Sequence, residues 1–177
     1  MRKIWMPIAA LVLAAAVLLG VYNLTLGIRR TNYRKELQAK METLLPGSKT
    51  FVAETYTGED KNISFVYKGE TGYVIGTAAQ GYAGPIHMLI GVSNGGLVTG
   101  LQVRQMEETF GLGAKALTDW EFLAQFLNTK GDASVGEDID ALTGATVTSK
   151  AITRSVNSAV AFVTGSDADS GATSWGG

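Results

Sequence analysis

Between Lys3 and Arg29 no residue is charged, and Ala, Leu, Val and Ile dominate. A run of that kind exceeds the ~20 residues that cross a hydrocarbon core as a helix, so it predicts a transmembrane anchor over residues 1–30. Trp5 and Tyr22 lie near its ends, where amphipathic rings prefer the interface. Pro7 falls within the first turn or so, where its missing N–H does least harm. The alternative is a cleaved signal peptide, for which Ala14-Ala15-Ala16 offers small residues. Val17-Leu18-Leu19 carries the apolar run past that point and argues for retention.

The pattern then changes period. Leu37, Met41, Leu44 and Leu45 share one face of a helix over Thr31–Leu45, and Pro46-Gly47 stops it. Short runs rich in β-branched and aromatic residues follow at Phe51–Tyr56, Ile63–Tyr67, Tyr73–Thr77, Ile86–Val92 and Leu97–Val103. Asn94-Gly95, between the last two, predicts a tight hairpin whose central positions tolerate positive φ. Thr118-x-x-Glu121 resembles a capping box opening a helix through Asn128, with Trp120, Leu123 and Phe126 available for burial. A last helix runs from about Thr148 to Val163, with Ile152, Val156, Val160 and Val163 on one face. Beyond Gly165, a stretch rich in Ser, Gly, Asp and Ala reads as a flexible tail over 166–177. The sum is an α+β chain: an anchor helix, then one domain over 31–165 with a mainly antiparallel sheet and flanking helices.

Composition narrows the chemistry. The 177 residues are 46% hydrophobic and 18% charged with a formal net charge of -1, which leaves no basic patch for nucleic acid. Cysteine is absent, so disulfides, iron–sulfur clusters and thiolate metal sites are excluded. The single histidine, His87, gives little support to a His-based metal site or a Ser-His-Asp triad. A redox role for this chain would need an organic cofactor.

The most informative segment is Asp140-Ala141-Leu142-Thr143-Gly144-Ala145-Thr146-Val147-Thr148-Ser149. It is a loop of small residues followed at once by an amphipathic helix. Gly144 and Ala145 permit close backbone approach, hydroxyls cluster on one turn, and a helix N-terminus presents unpaired N–H groups with a partial positive charge, a favourable seat for phosphate. The same residues also suit plain helix capping and tight packing, and physical reasoning leaves both open.

The segment resembles the flavinylation motif of the FMN-binding domain found in the Rnf G and Nqr C subunits. The resemblance implies that a flavin transferase esterifies the FMN phosphate to Thr146, with Asp140 as the motif's leading acid, Thr143, Gly144 and Ala145 as its core, and Thr148 on the same turn. Gly81-Tyr82-x-Gly84-Pro85-Ile86 is similar to the family's approach to its sheet. Glu108-Thr109-Phe110-Gly111-Leu112-Gly113 is similar to a family loop that lies against the flavin, with Phe110 where proline is usual. The short tail pattern Asp167 to Thr173 makes Thr173 a rival attachment point, but no apolar helix follows it. Lys115 and Lys150 flank the two loops and read first as solvated lysines. Tyr82 and Trp120 read first as core residues, with stacking on the ring as the alternative.

The resemblance implies an electron carrier without substrate chemistry of its own. Its setting would be an ion-translocating ferredoxin:NAD oxidoreductase of the Rnf type in the cell membrane, beside other membrane subunits. The short chain favours Rnf G over Nqr C. Arg29, Arg30, Arg34 and Lys35 outnumber Arg2 and Lys3, so the positive-inside rule would leave the domain in the cytoplasm; the resemblance places it outside. A stand-alone anchored flavodomain and a non-redox binding or assembly module are the competing readings.

Overall fold

The computed structural model describes residues 2–106, 113 and 119–166; the side chains of residues 2–9, 24, 26–28, 30 and 31 are not part of that description. Two compact units result, Met1–Lys40 and Met41–Gly177. Helix α1 runs over Arg2–Leu44 as one continuous element. Its described apolar side chains between residues 10 and 23, among them Leu11, Leu13, Val17, Leu18 and Leu19, are exposed. Among the described residues no helix is long and apolar enough to cross a membrane.

The second unit is built on a five-stranded antiparallel sheet: β1 (Val52–Glu54), β2 (Ile63–Lys68), β3 (Gly72–Gln80), β4 (Pro85–Ser93) and β5 (Val98–Met106), ordered as in the chain. Each of the five expected runs is a strand, most of them one to a few residues longer than the hydrophobic pattern indicates, and the first shorter. The alternation of β3 and β4 sets the two faces of the sheet. Tyr73, Ile75, Thr77 and Ala79 pair with Val92, Ile90, Met88 and Ile86, and all face α3 (Thr146–Thr164). That helix packs across β2, β3 and β4, and the core it closes includes Ile75, Ile90, Phe126, Ile139, Ile152 and Val156. A fully buried side chain of this size contributes about 1.5–3 kcal/mol.

The opposite face is covered as well. Met41, Leu44 and Leu45, at and just beyond the end of α1, are buried, as are Val74 and Leu89. The cross-strand pair Gly91 and Gly100 forms the seat. A Cβ on Gly91 would stand 2.1 Å from the Leu44 carbonyl oxygen, so only glycine lets the helix end lie on the sheet there. Thr99 Oγ1 donates to that same carbonyl at 2.6 Å, satisfying one of the acceptors a helix C-terminus leaves over.

Three local expectations need correction. The β4–β5 hairpin turns on Gly96, with φ +77, and neither Asn94 nor Gly95 has positive φ. Asn94 N instead donates to Thr71 O at 2.9 Å. The second helix, α2, covers only Trp120–Ala124 and is capped by Asp119, whose Oδ1 accepts from Phe122 N at 3.0 Å. The chain beyond α2 tightens into i→i+3 bonds because Asn128 N donates to Val98 O at 2.9 Å, drawing this segment onto β5. Trp120 is 73% exposed, and Phe122 is buried in its place. Thr118, the expected cap, lies outside the described residues, as does the tail from 167 onward.

Candidate functional site

The Asp140–Ser149 segment leads from the loop behind α2 into the first turn of α3. Gly144 has φ +74, a conformation that costs an L side chain about 1–2 kcal/mol. Ala145 is the N-cap and offers no side-chain hydrogen bond; its own N–H donates to Leu142 O at 2.9 Å. Thr146 is the first helical residue, and its side chain is exposed. Ser149 N is the first amide of the helix to find a backbone carbonyl, Ala145 O at 2.9 Å. Among the described residues nothing accepts from the N–H groups of Thr146, Val147 or Thr148. An uncapped helix start with free donors and an accessible hydroxyl favours an anion on physical grounds.

The loop is held from two sides by residues whose roles the sequence does not mark. Ser149, fully buried, accepts from Leu142 N at 3.0 Å and donates to Ala145 O at 3.0 Å, so one hydroxyl pins both ends of the turn. Gln125 clamps the Asp140 backbone, accepting from its N–H at 2.7 Å and donating to its carbonyl at 3.4 Å. The Asp140 and Thr143 side chains are exposed, Thr148 is buried, and Gly113 is buried. Glu108, Thr109, Gly111 and Leu112 lie outside the described residues, as do Phe110, Lys115 and Thr173.

Lys150 is half-buried, unlike a free surface lysine, and Arg154 shares that state. The Arg154 Nε is buried with no hydrogen-bond partner. Tyr82, at the β3–β4 turn closed by Gly81 N donating to Gly84 O, is 74% exposed. The core reading of Tyr82 and Trp120 is therefore wrong: both rings face solvent. Trp120 borders an apolar groove of about 390 Å³ lined also by Leu44, Thr99, Leu101, Leu123 and Leu127.

Comparison with known proteins places this segment within a known domain. Residues 81–161 match the FMN-binding domain, a span that opens at the Tyr82 turn and ends near the close of α3. The G subunit of the ion-translocating oxidoreductase complex of Methanosarcina acetivorans is 33% identical over 164 residues, covering 85% of this chain and 87% of that protein. The chain belongs to the G-subunit family of these complexes. The G subunit of the proton-translocating ferredoxin:NAD(+) oxidoreductase complex of Clostridium ljungdahlii is 41% identical over 52% of the chain. Its counterpart in the Na(+)-translocating ferredoxin:NAD(+) oxidoreductase complex of Acetobacterium woodii is 36% identical over 60% of it. The chain spans about half the length of these last two relatives, 53% in each case.

The residues present suit an FMN. The family's FMN-binding segment includes the exposed Thr146 hydroxyl, the free amides of the first turn of α3, and a buried guanidinium nitrogen without an acceptor.

Proposed function

We propose that this chain is the electron-carrying G subunit of an Rnf-type membrane complex that passes electrons between reduced ferredoxin and NAD while moving an ion, and that its FMN is joined to Thr146 by a phosphoester. The observation that carries this reading is the position of Thr146: an exposed hydroxyl on the first residue of α3, above amides that nothing among the described residues caps. An acceptor threonine must be reachable by a transferase, and the ester's remaining charge must be accommodated afterwards. The start of α3 meets both needs.

Bound FMN supplies one- and two-electron transfer. The protein's residues attach and orient it. Thr146 Oγ would become the ester oxygen, its new bond to the flavin donor's phosphorus replacing the bond to that donor's leaving group, which departs with the hydroxyl proton. The cofactor would then not dissociate without bond cleavage. The N–H groups of Val147 and Thr148, at the uncapped start of α3, would hold the phosphate, and Gly144 would keep the approach open. Ser149 fixes the turn from beneath, and Gln125 fixes Asp140 from just beyond α2. The loop Glu108, Thr109, Gly111, Leu112 and Gly113 is assigned to the ring by the family resemblance.

The N-terminal segment is the membrane anchor in this proposal, one crossing with the FMN domain extracytoplasmic. The charge-free stretch between Lys3 and Arg29 and the exposed apolar side chains of α1 support it. Exposed apolar surface of that extent on a helix calls for lipid or protein around it. Covalent attachment also suits a compartment in which free FMN is scarce. The partners are the other membrane subunits of the complex, with a flavin transferase acting during maturation.

Intact and peptide mass spectrometry on the chain expressed with a flavin transferase tests the attachment. One FMN less one water on the Thr146 peptide, and none in Thr146→Ala, is the expected result. The same mass on the Thr173 peptide would move the site to the tail. No added mass, with a control protein modified in parallel, would refute covalent attachment and favour a binding or assembly module.

A further inference from the structure

Helix α3 is enclosed along most of its length, so its accessible positions are few. From Thr148 to Ala161 every residue is buried except Lys150 and Arg154, and Thr146 at the start is exposed. Thr146, Lys150 and Arg154 are spaced by four, which places them in one line along the helix. With a rise of about 1.5 Å per residue, the line extends roughly 12 Å from Thr146 to Arg154. That distance suits a ribityl chain together with part of a flavin ring. A group attached at Thr146 and lying back along the helix therefore passes over two cations.

Neither cation is paired with a carboxylate among the described residues. The ion pairs Lys40 with Glu36, Lys49 with Glu42 and Lys68 with Glu54 involve neither residue. Arg154 Nε is buried without an acceptor, while the residue as a whole is only half-buried, so the stem and Nε are enclosed and the remaining guanidinium nitrogens are the ones that can meet a ligand. Surface cations that merely cover apolar area keep their donors in water; this nitrogen is not in water.

We infer that Lys150 and Arg154 form a cationic track beneath the flavin, an inference that rests on Thr146 as the attachment point. Lys150 lies one turn from the ester and offsets the phosphodiester charge. Arg154, a turn further on, positions the pyrimidine edge of the ring, donating to its N1 and C2 carbonyl. When FMN takes two electrons from a reductant and one proton from solvent it becomes a monoanion, with its charge on that edge. Arg154 thereby favours the reduced form. Arg154 is a positioning and tuning residue; the electrons move on the flavin alone.

The test uses the full chain in detergent, with Lys150→Gln, Arg154→Gln, Arg154→Lys and, as a charge control on the β1–β2 turn, Lys61→Gln. Flavin visible circular dichroism and the midpoint potential by dithionite titration are read on loaded protein. Affinity for free FMN and for inorganic phosphate is read on unloaded protein. Arg154→Gln is expected to shift the potential to more negative values and change the flavin dichroism, with Arg154→Lys restoring most of the potential. Lys150→Gln is expected to weaken phosphate and free FMN about tenfold, the loss typical of one charge-assisted contact. Should Arg154→Gln fail to fold, Arg154→Met keeps the apolar stem and carries the same measurements. If FMN sits on Thr146 yet all variants match the Lys61→Gln control, the track is refuted and the attachment stands. If wild type carries no FMN on Thr146, the attachment fails separately. The unloaded titrations then decide the track, which charge dependence supports and indifference overturns.

Discussion

Ser149→Ala isolates what holds the flavin loop in shape. The hydroxyl is buried and makes two 3.0 Å bonds, accepting from Leu142 N and donating to Ala145 O. Truncation leaves the Leu142 amide inside the protein without a partner, because Leu142 is itself buried. An orphaned buried donor costs about 1–3 kcal/mol. Removing the back-bond to Ala145 O matters less, since that carbonyl still accepts from Ser149 N. Alanine is also the better helix former by a few tenths of a kcal/mol, a small credit against the loss. A net destabilisation of about 1–2.5 kcal/mol follows, or roughly 3–10 °C in Tm for a domain of this size.

Thr146→Ala makes the matching control three residues away. Its side chain is exposed and caps nothing, so stability should stay within about 0.5 kcal/mol, while covalent flavin is lost entirely. Thermal melts of unloaded protein by circular dichroism, set beside the flavinylated fraction by mass spectrometry, separate the two effects. Ser149→Ala should melt lower and load slowly; Thr146→Ala should melt normally and not load. Equal melting temperatures for the two variants would refute the view that Ser149 pins the loop.

Gly144→Ala should cost about 1–2 kcal/mol through its φ of +74 and slow flavin loading, both readable in the same melts and spectra. Gly91→Ala should be more damaging than Gly100→Ala, because the new Cβ meets the Leu44 carbonyl at 2.1 Å in the first case and at 3.1 Å in the second; chemical denaturation of the two variants ranks them. Glu70 accepts from Thr50 Oγ1, Thr50 N and Lys49 N, and the Thr50 hydroxyl above all holds its pKa down at about 2 against 4.5. A lowered carboxylate pKa stabilises above the unfolded value and loses that contribution as pH falls through the folded one. Wild type should therefore lose stability between about pH 4.5 and 2 more steeply than Glu70→Gln, as melts across that range will register. Trp120→Ala should change stability by less than about 0.5 kcal/mol given its exposure, a result that chemical denaturation checks.

The sheet is legible because each strand carries its own alternation of β-branched and aromatic positions, and every strand lies beside its chain neighbour. What the pattern misses is set by distant partners. Asn94-Gly95 has the composition of a two-residue turn, yet the Thr71 carbonyl captures Asn94 N and the positive φ moves to Gly96. The Thr118 to Glu121 pattern has the form of a capping box, but Asp119 is one step closer to the helix and takes Phe122 N. Size alone would put Trp120 inside. Phe122 and Phe126, packed edge to face at 5.4 Å between centroids, fill that part of the core instead. At the site, the loop and the start of α3 can be read from small residues and hydroxyls. Gln125 cannot, since its partner Asp140 lies fifteen residues on and nothing local marks the pair.

The last helix also suits the attachment point proposed at its first residue. α3 is buried on nearly every side, and many of its buried positions are polar: Thr148, Ser149, Thr153, Ser155, Asn157 and Ser158. Several bond locally or to neighbouring segments, as Thr153 does to Ser149 O and Asn157 to Ala133 O. A helix fixed in this way has little freedom to shift when its terminus is loaded. The ester at Thr146 would then be held by the most enclosed element of the domain, and the flavin's orientation would be set by the one open stripe beside it. A rigid mount of that kind suits electron transfer, which depends on keeping donor and acceptor at fixed separation through both oxidation states. It also implies that loading should change the domain little. Amide hydrogen exchange along α3 beyond residue 149 should be the same before and after flavinylation, with new protection confined to residues 108–113 and 140–149. Protection spreading through Val156 and Val160 would mean that the helix is ordered by the flavin, and the mount would have to be regarded as induced.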